Sequence, residues 1–243
     1  FAPDGSLYIN VGAATDRCDK QVVDGGRGLP QCADVPDEPV LAAVYRARFT
    51  WPQGKLDGVQ PFARGLRNSM ALAVHTSGTV WQAENNIDFD DEKFPAEEVN
   101  RLEDGGHYGW PGCVEARKPL AGVPKAWCAN TVAPALLMPA HAAPLHMEFS
   151  RAGSEPPGER VGLLVSWHGY RAAGRRLVRY EIGSDGAPKN PPLVLLGPWT
   201  LDGKAATRPG APVGWAEDAQ GDLWIADDRN RMLVWLRRTP SGP

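Results

Sequence analysis

The sequence predicts an all-β domain of short antiparallel strands, and three observations carry that prediction. One hairpin pattern recurs: FAPDGSLYINVG from Phe1, AVHTSGTVWQAEN from Ala73 and AEDAQGDLWIADD from Ala216 each run through a polar turn ending in glycine, then an apolar residue, then an aromatic. Helical periodicity is almost absent. The 23 prolines and 27 glycines are spread through loops rather than gathered in a linker, which keeps every regular run short and argues for one domain.

The turn glycines are Gly5, Gly78 and Gly221, and the second interval is close to twice the first, so the spacing predicts an intervening copy. It is found in altered form in PLHMEFSRAGSEPPGERVGLLVSWHG, where residues 145–149 and 161–167 are strand-like and a longer turn joins them. Further strands are expected at 40–49, 97–102, 176–182 and 193–196, each flanked by Gly, Pro or Asp. Four blade-like units fit the chain, and strands recurring at this spacing favour an all-β toroid. A β-sandwich is the alternative, but its strands do not normally return as one hairpin per long interval.

A chain of 243 residues with a formal charge of -3 and a pI near 6.0 can bury one sizeable core and has no electrostatic bias toward nucleic acid or anionic membrane. No apolar run reaches the ~18 residues of a transmembrane helix, and no charged start precedes a short apolar stretch. The chain opens directly on a strand-turn pattern, from which we expect it to be the C-terminal portion of a longer domain. Its cysteines fall into two local pairs, Cys18 with Cys32 and Cys113 with Cys128. Disulfides are the favoured reading, each closing a loop of roughly 15 residues and constraining the unfolded chain by about 3 kcal/mol. They imply an oxidising compartment, periplasmic or extracellular. A metal site is the competing reading, although neither spacing matches a zinc motif.

Two segments carry chemistry. Arg67-Asn68 lies in GLRNSMALAVHTSGTVWQAENN, and GGHYGWPGC, from Gly105, follows the strand-like EEVNRL. Two adjacent glycines allow a turn with positive φ, while Tyr108, Trp110 and Pro111 make a stiff aromatic wall that either lines a planar ligand or packs an edge of the fold. In order along the chain, PDGSLYINVG, GLRNSMALAVHTSGTVWQAENN, PAEEVNRLEDGGHYGWP, APLHMEF, SWHGYR and PVGWAEDAQGDLWIADD resemble the soluble pyrroloquinoline quinone (PQQ)-dependent sugar dehydrogenases, especially their sorbosone dehydrogenase-like branch.

That resemblance implies a six-bladed β-propeller of which about four blades are represented here. It implies PQQ on the central face and hydride transfer from the anomeric carbon of an aldose or sugar aldehyde to a quinone carbonyl. Arg67 matches the arginine set against the quinone oxygen, where a fixed cation stabilises developing negative charge, and Asn68 with Asn85 would hold the cofactor edge. Arg171 resembles the basic residue that pairs with a PQQ carboxylate, and Arg208 is offered for a further contact, although relatives place that arginine directly before the segment matching PVGW, where this chain has Ala211. The resemblance also implies a calcium ion held partly by backbone carbonyls, here those of Asn86 and Ile87, where many relatives have Gly-Pro.

The acidic run Asp88, Asp90, Asp91 and Glu92 reads as a solvated loop rather than a second cation site. The family's general base is a histidine upstream of the Asp4-Gly5 turn, which this chain does not contain; of its own histidines, His168 is the one expected to face the cofactor. The electron acceptor is not specified. Two other readings remain at this point: a noncatalytic propeller binding carbohydrate or protein, and a calcium-dependent lactonase built on Glu84, Asn85 and Asp228.

Overall fold

The computed structural model describes residues 1–18, 21–23, 30–32, 39–150, 161–200 and 209–237. In chain order the elements are β1 (Ser6–Val11), β2 (Gln21–Val23), β3 (Pro30–Cys32), β4 (Ala43–Thr50), β5 (Lys55–Arg64), β6 (Ala71–Val74), β7 (Val80–Glu84), β8 (Glu97–Leu102), β9 (Gly106–His107), β10 (Cys113–Val114) and β11 (Lys118–Pro119). There follow α1 (Lys125–Cys128), β12 (Leu136–Met138), β13 (Pro144–Phe149), β14 (Gly162–Trp167), β15 (Arg176–Ile182), β16 (Pro188–Leu196), β17 (Pro212–Glu217), β18 (Leu223–Asp227) and β19 (Met232–Leu236). Four principal sheets result, ordered β1-β4-β5-β9, β12-β8-β7-β6, β13-β14-β15-β16 and β17-β18-β19.

The recurrent hairpin has one local cause. Gly5, Gly78 and Gly221 sit at φ of 83°, 86° and 82°, a region open to glycine at no steric cost. Each closes the same tight turn, its N–H donating to the carbonyl three residues back, on Ala2, His75 and Asp218 respectively. The altered copy is present as the antiparallel pair β13-β14, and the expected runs at 97–102 and 176–182 coincide with β8 and β15.

Strand alternation packs the sheets face to face. On β7, Val80 joins Val44, Phe62 and Leu102 between the first and second sheets, while Trp81 and Ala83 point the other way to meet Met147, Leu163 and Val165 of the third. On β14, Leu164 turns away from that core to pack with Trp215, Leu223 and Ile225 of the fourth sheet. Both local cysteine pairs are disulfides, Cys18–Cys32 and Cys113–Cys128, with Cα–Cα distances of 5.6 and 5.8 Å. The first anchors a small core with Ile87, Trp110 and Val114.

Leu163 is fully buried between the second and third sheets. Truncation to alanine removes its contacts and leaves a cavity, a loss of about 2–5 kcal/mol. Chemical denaturation of Leu163→Ala should show that decrease; a change below ~1 kcal/mol would mean that these two sheets do not share this core.

Candidate active site

Arg67 lies in the connection between β5 and β6, and its backbone is fixed from both sides. Its carbonyl accepts from the N–H of Ala13 at 2.7 Å, and the N–H of Asn68 donates to Glu84 at 3.0 Å. The guanidinium then reaches the segment after β7: Nη1 donates to the carbonyls of Asn85 and Asn86, each at 2.9 Å, while Nη2 pairs with Asp16 at 2.7 Å. Its Nε is buried without a hydrogen-bond partner.

Arg67, Asn68, Asn85 and Asn86 line one pocket of about 440 Å³ with Asp88, Glu97, His141, Ala143, His168, Gly169, Tyr170 and Arg171. Arg67, Asn68, Asn85, Asn86 and Arg171, singled out from distant parts of the sequence, therefore meet in one cavity. Arg171 is surrounded by acceptors. Its Nη2 lies 3.2 Å from Asp88 and its Nη1 3.4 Å from Glu92, and Nη1 also donates to the Asp90 carbonyl at 3.4 Å. The acidic run is thus not simply a solvated loop, since it supplies the counter-charges of a pocket cation. His168 faces the pocket with Nε2 3.0 Å from Asp228, and its ring lies 4.8 Å from that of Tyr170.

The remaining residues named from the sequence have other surroundings. The carbonyl of Asn86 is occupied by Arg67, and the side chain of Ile87 turns into the core beside Cys18–Cys32, where it lines a neighbouring cavity of about 970 Å³. Arg208 lies outside the described residues. Glu84, Asn85 and Asp228 do not converge, because Glu84 is buried against Ser69 and Gln82 while Asp228 pairs with His168. Among the described residues no group of three His, Cys, Asp or Glu side chains is placed to hold a metal ion. Of the aromatic residues in GGHYGWPGC, Tyr108 is buried with its hydroxyl donating to the Arg101 carbonyl at 2.6 Å, and Trp110 packs beside the first disulfide. That loop packs an edge, and Tyr170 is the aromatic side chain lining the pocket.

At the pocket wall lie three buried carboxyls that the sequence reading did not assemble, Glu97 lining the cavity and Glu84 and Glu98 behind it. Glu84 accepts from the Asn68 N–H and from Ser69 and Gln82; Glu97 accepts from the N–H groups of Asn86 and Ala143; Glu98 accepts from the side-chain amides of Asn86 and Asn100. The acidic doublet at the start of EEVNRL carried the signal, because alternation along a central strand leaves neither side chain a free route to solvent. Burial pushes the Glu84 carboxyl up to about 7 and the Glu97 carboxyl up to about 8, with the backbone N–H donors pulling the other way. Glu98 is held well above the usual carboxylate range by burial and then by the neighbouring Glu84 charge.

Each of these carboxyls holds its proton more tightly in the folded chain than in the unfolded one. Their contribution to stability is therefore fully present below the unfolded value of ~4.3 and is lost as pH rises through about 7 and about 8. The melting temperature of the unliganded protein should fall as pH is raised from 5 to 9, and a flat or rising profile would contradict this assignment.

No known family profile matches the chain. In sequence it is similar to a pyrroloquinoline quinone-dependent pyranose dehydrogenase of Coprinopsis cinerea, 26% identical over 79% of this chain and 34% of that protein. It is also similar to a pyrroloquinoline quinone-dependent sugar dehydrogenase of Hypocrea jecorina, 25% identical over 72% of this chain and 48% of that protein. The chain thus spans between a third and a half of the length of these relatives. Among solved structures it superimposes on a Trichoderma reesei carbohydrate-active enzyme of family AA12 with a TM-score of 0.69 at 21% identity, covering 97% of this chain and 65% of that one. The holo pyranose dehydrogenase PQQ domain from Coprinopsis cinerea gives 0.64 at 20% identity, covering 96% and 67%. In sequence the chain is thus similar to PQQ-dependent pyranose and sugar dehydrogenases, and it shares the fold of these solved structures.

Proposed function

We propose that the protein is a PQQ-dependent oxidoreductase acting on an aldose or a sorbosone-like sugar aldehyde, and that the pocket around Arg67 and Arg171 holds the cofactor. In this reading the four sheets are four blades of a six-bladed propeller, and the two disulfides fit a periplasmic or extracellular site of action. The observation that carries the proposal is the meeting of Arg67 and Arg171 with the amides of Asn68, Asn85 and Asn86 around one cavity.

The donor set suits a planar polycarboxylate. Guanidinium groups bind carboxylates through paired N–H donors, and Arg67 keeps a buried Nε with no partner. Bound there, the quinone would supply the two-electron acceptor. Arg67 would oppose negative charge developing at a quinone oxygen, Arg171 would pair with a carboxylate, and Asn68 and Asn85 would fix the edge. His168, oriented by Asp228, presents an imidazole to the same cavity. The residues fit calcium less well: the Asn86 carbonyl already accepts from Arg67, so an ion there would have to displace a cation, and we derive no step through it.

The test is a titration of PQQ, with and without calcium, into this chain and into the protein made from its complete reading frame, followed by cofactor absorbance on adding an aldose. Reduction of the cofactor by the full-length protein supports the dehydrogenase. Absence of PQQ binding by either leaves a noncatalytic binding propeller as the better account. Within the same assay, Arg67→Ala and Arg171→Ala should each weaken PQQ at least tenfold, on the order of 1.4 kcal/mol or more, whereas Asp88→Asn should tighten it by removing an internal competitor.

A further inference from the structure

We propose that Glu97 is the positioning residue of this site: a single buried carboxyl that sets two pocket-lining peptide planes and, through them, the two segments carrying Arg67's partners and Arg171. The inference deepens the cofactor reading above and rests on it for its ligand.

Glu97 opens β8 and its side chain is almost wholly buried. Oε2 accepts from the N–H of Asn86 at 2.6 Å and Oε1 from the N–H of Ala143 at 3.2 Å. These amides belong to different connections, one between β7 and β8 and the other between β12 and β13. Neither the 85–86 nor the 142–143 peptide is cis, so in each plane the carbonyl points away from the N–H that Glu97 holds. The Asn85 carbonyl is thereby directed to Arg67, whose Nη1 meets it at 2.9 Å. The Ala142 carbonyl is directed to the N–H of Gly169 at 3.0 Å, two residues before Arg171.

The backbone supports the same assignment. His141 and Ala143, both non-glycine, sit at φ of 60° and 48°, a left-handed conformation that costs energy and persists where the surroundings fix it. Glu97 supplies one such restraint directly at Ala143. An apolar residue at this position would avoid the cost of burying a carboxyl but would leave two partly buried N–H groups without that partner.

Glu97→Gln tests this in the full-length protein, because the amide has nearly the same size but its nitrogen donates and would confront an N–H, losing one of the two contacts. Leu164→Ala, in the core between the third and fourth sheets, is the control for general destabilisation. PQQ affinity, followed by quenching of tryptophan fluorescence, should fall at least tenfold in Glu97→Gln and stay within twofold in Leu164→Ala, although both melt earlier. Native-like affinity in Glu97→Gln, or an equal loss in the control, would overturn the positioning role. A second readout needs no cofactor. In the unliganded protein, modification of Arg67 by phenylglyoxal, mapped by mass spectrometry, should be several-fold faster in Glu97→Gln, and an unchanged rate also overturns the proposal. A wild-type protein that binds no PQQ removes the cofactor reading and leaves the arginine reactivity to decide the role of Glu97. If Glu97→Gln does not fold, Glu97→Asp, one methylene shorter and unable to span both amides, takes its place in both measurements.

Discussion

The ladder between β7 and β8 is the constraint from which both the packing and the pocket follow. Its pairs on one face run Val80 with Leu102, Gln82 with Asn100, and Glu84 with Glu98. One end is apolar and joins the core shared with the first sheet, the middle is an amide pair closed by Asn100 donating to Gln82 at 3.0 Å, and the end nearest the pocket is a pair of carboxyls. Every one of these side chains but Leu102 and Val80 is polar, and all are buried. Carboxyls directly opposite each other in an antiparallel pair repel when both are charged, and burial raises the cost further. Such a ladder end is tolerable only where protons and backbone donors are available, and the connections around the pocket provide those donors.

The other face of the same strands explains why the carboxyls cannot turn away. Trp81, Ala83 and Val99 are committed to the core with the third sheet, so rotating either strand to release its polar side chains would expose that core. Packing between sheets therefore fixes Glu84 on one face and Glu97 on the other, these carboxyls fix the peptides of Asn68, Asn86 and Ala143, and those peptides fix where carbonyls meet Arg67 and Gly169. Precision at the pocket is inherited from the sheets, although apart from Glu97 the residues that line it lie on connections.

What the sequence made legible was whatever depends on local geometry. The turn glycines announce their hairpins because positive φ is a property of a single residue, and β8 and β15 announce themselves as short runs between punctuating residues. β5 was missed because Gly58 and Pro61 interrupt its pattern; the strand accommodates them beside β4 with shifts in register on either side of Tyr45–Arg46. β16 begins earlier than expected because its prolines lie on a strand paired on one side only, where a missing N–H costs nothing. The resemblance brought Arg67, Asn68, Asn85, Asn86 and Arg171 forward, but the pairing of Arg67 with Asp16 and of Arg171 with Asp88 depends on how separate connections fold against one another. The aromatic wall of GGHYGWPGC could not be assigned for the same reason: Tyr108 and Trp110 are equally suited to a lining or a core, and only tertiary placement chooses.

Those two ion pairs also bear on how any anionic ligand enters. Arg67 and Arg171 are the pocket's cations, yet Asp16 and Asp88, which balance them, have side chains that are 37% and 67% exposed. A carboxylate so exposed gains little from its pair, because water solvates it nearly as well. A polycarboxylate arriving at the pocket consequently exchanges one set of anions for another, and the internal anions return to solvent at small cost. The free energy of that exchange comes less from net charge than from geometry: two guanidinium groups already held in place can meet a rigid ligand without further ordering, whereas the flexible aspartates regain their freedom on leaving. Affinity at such a site is thus set by how firmly the arginines are positioned, and that depends on the buried carboxyls.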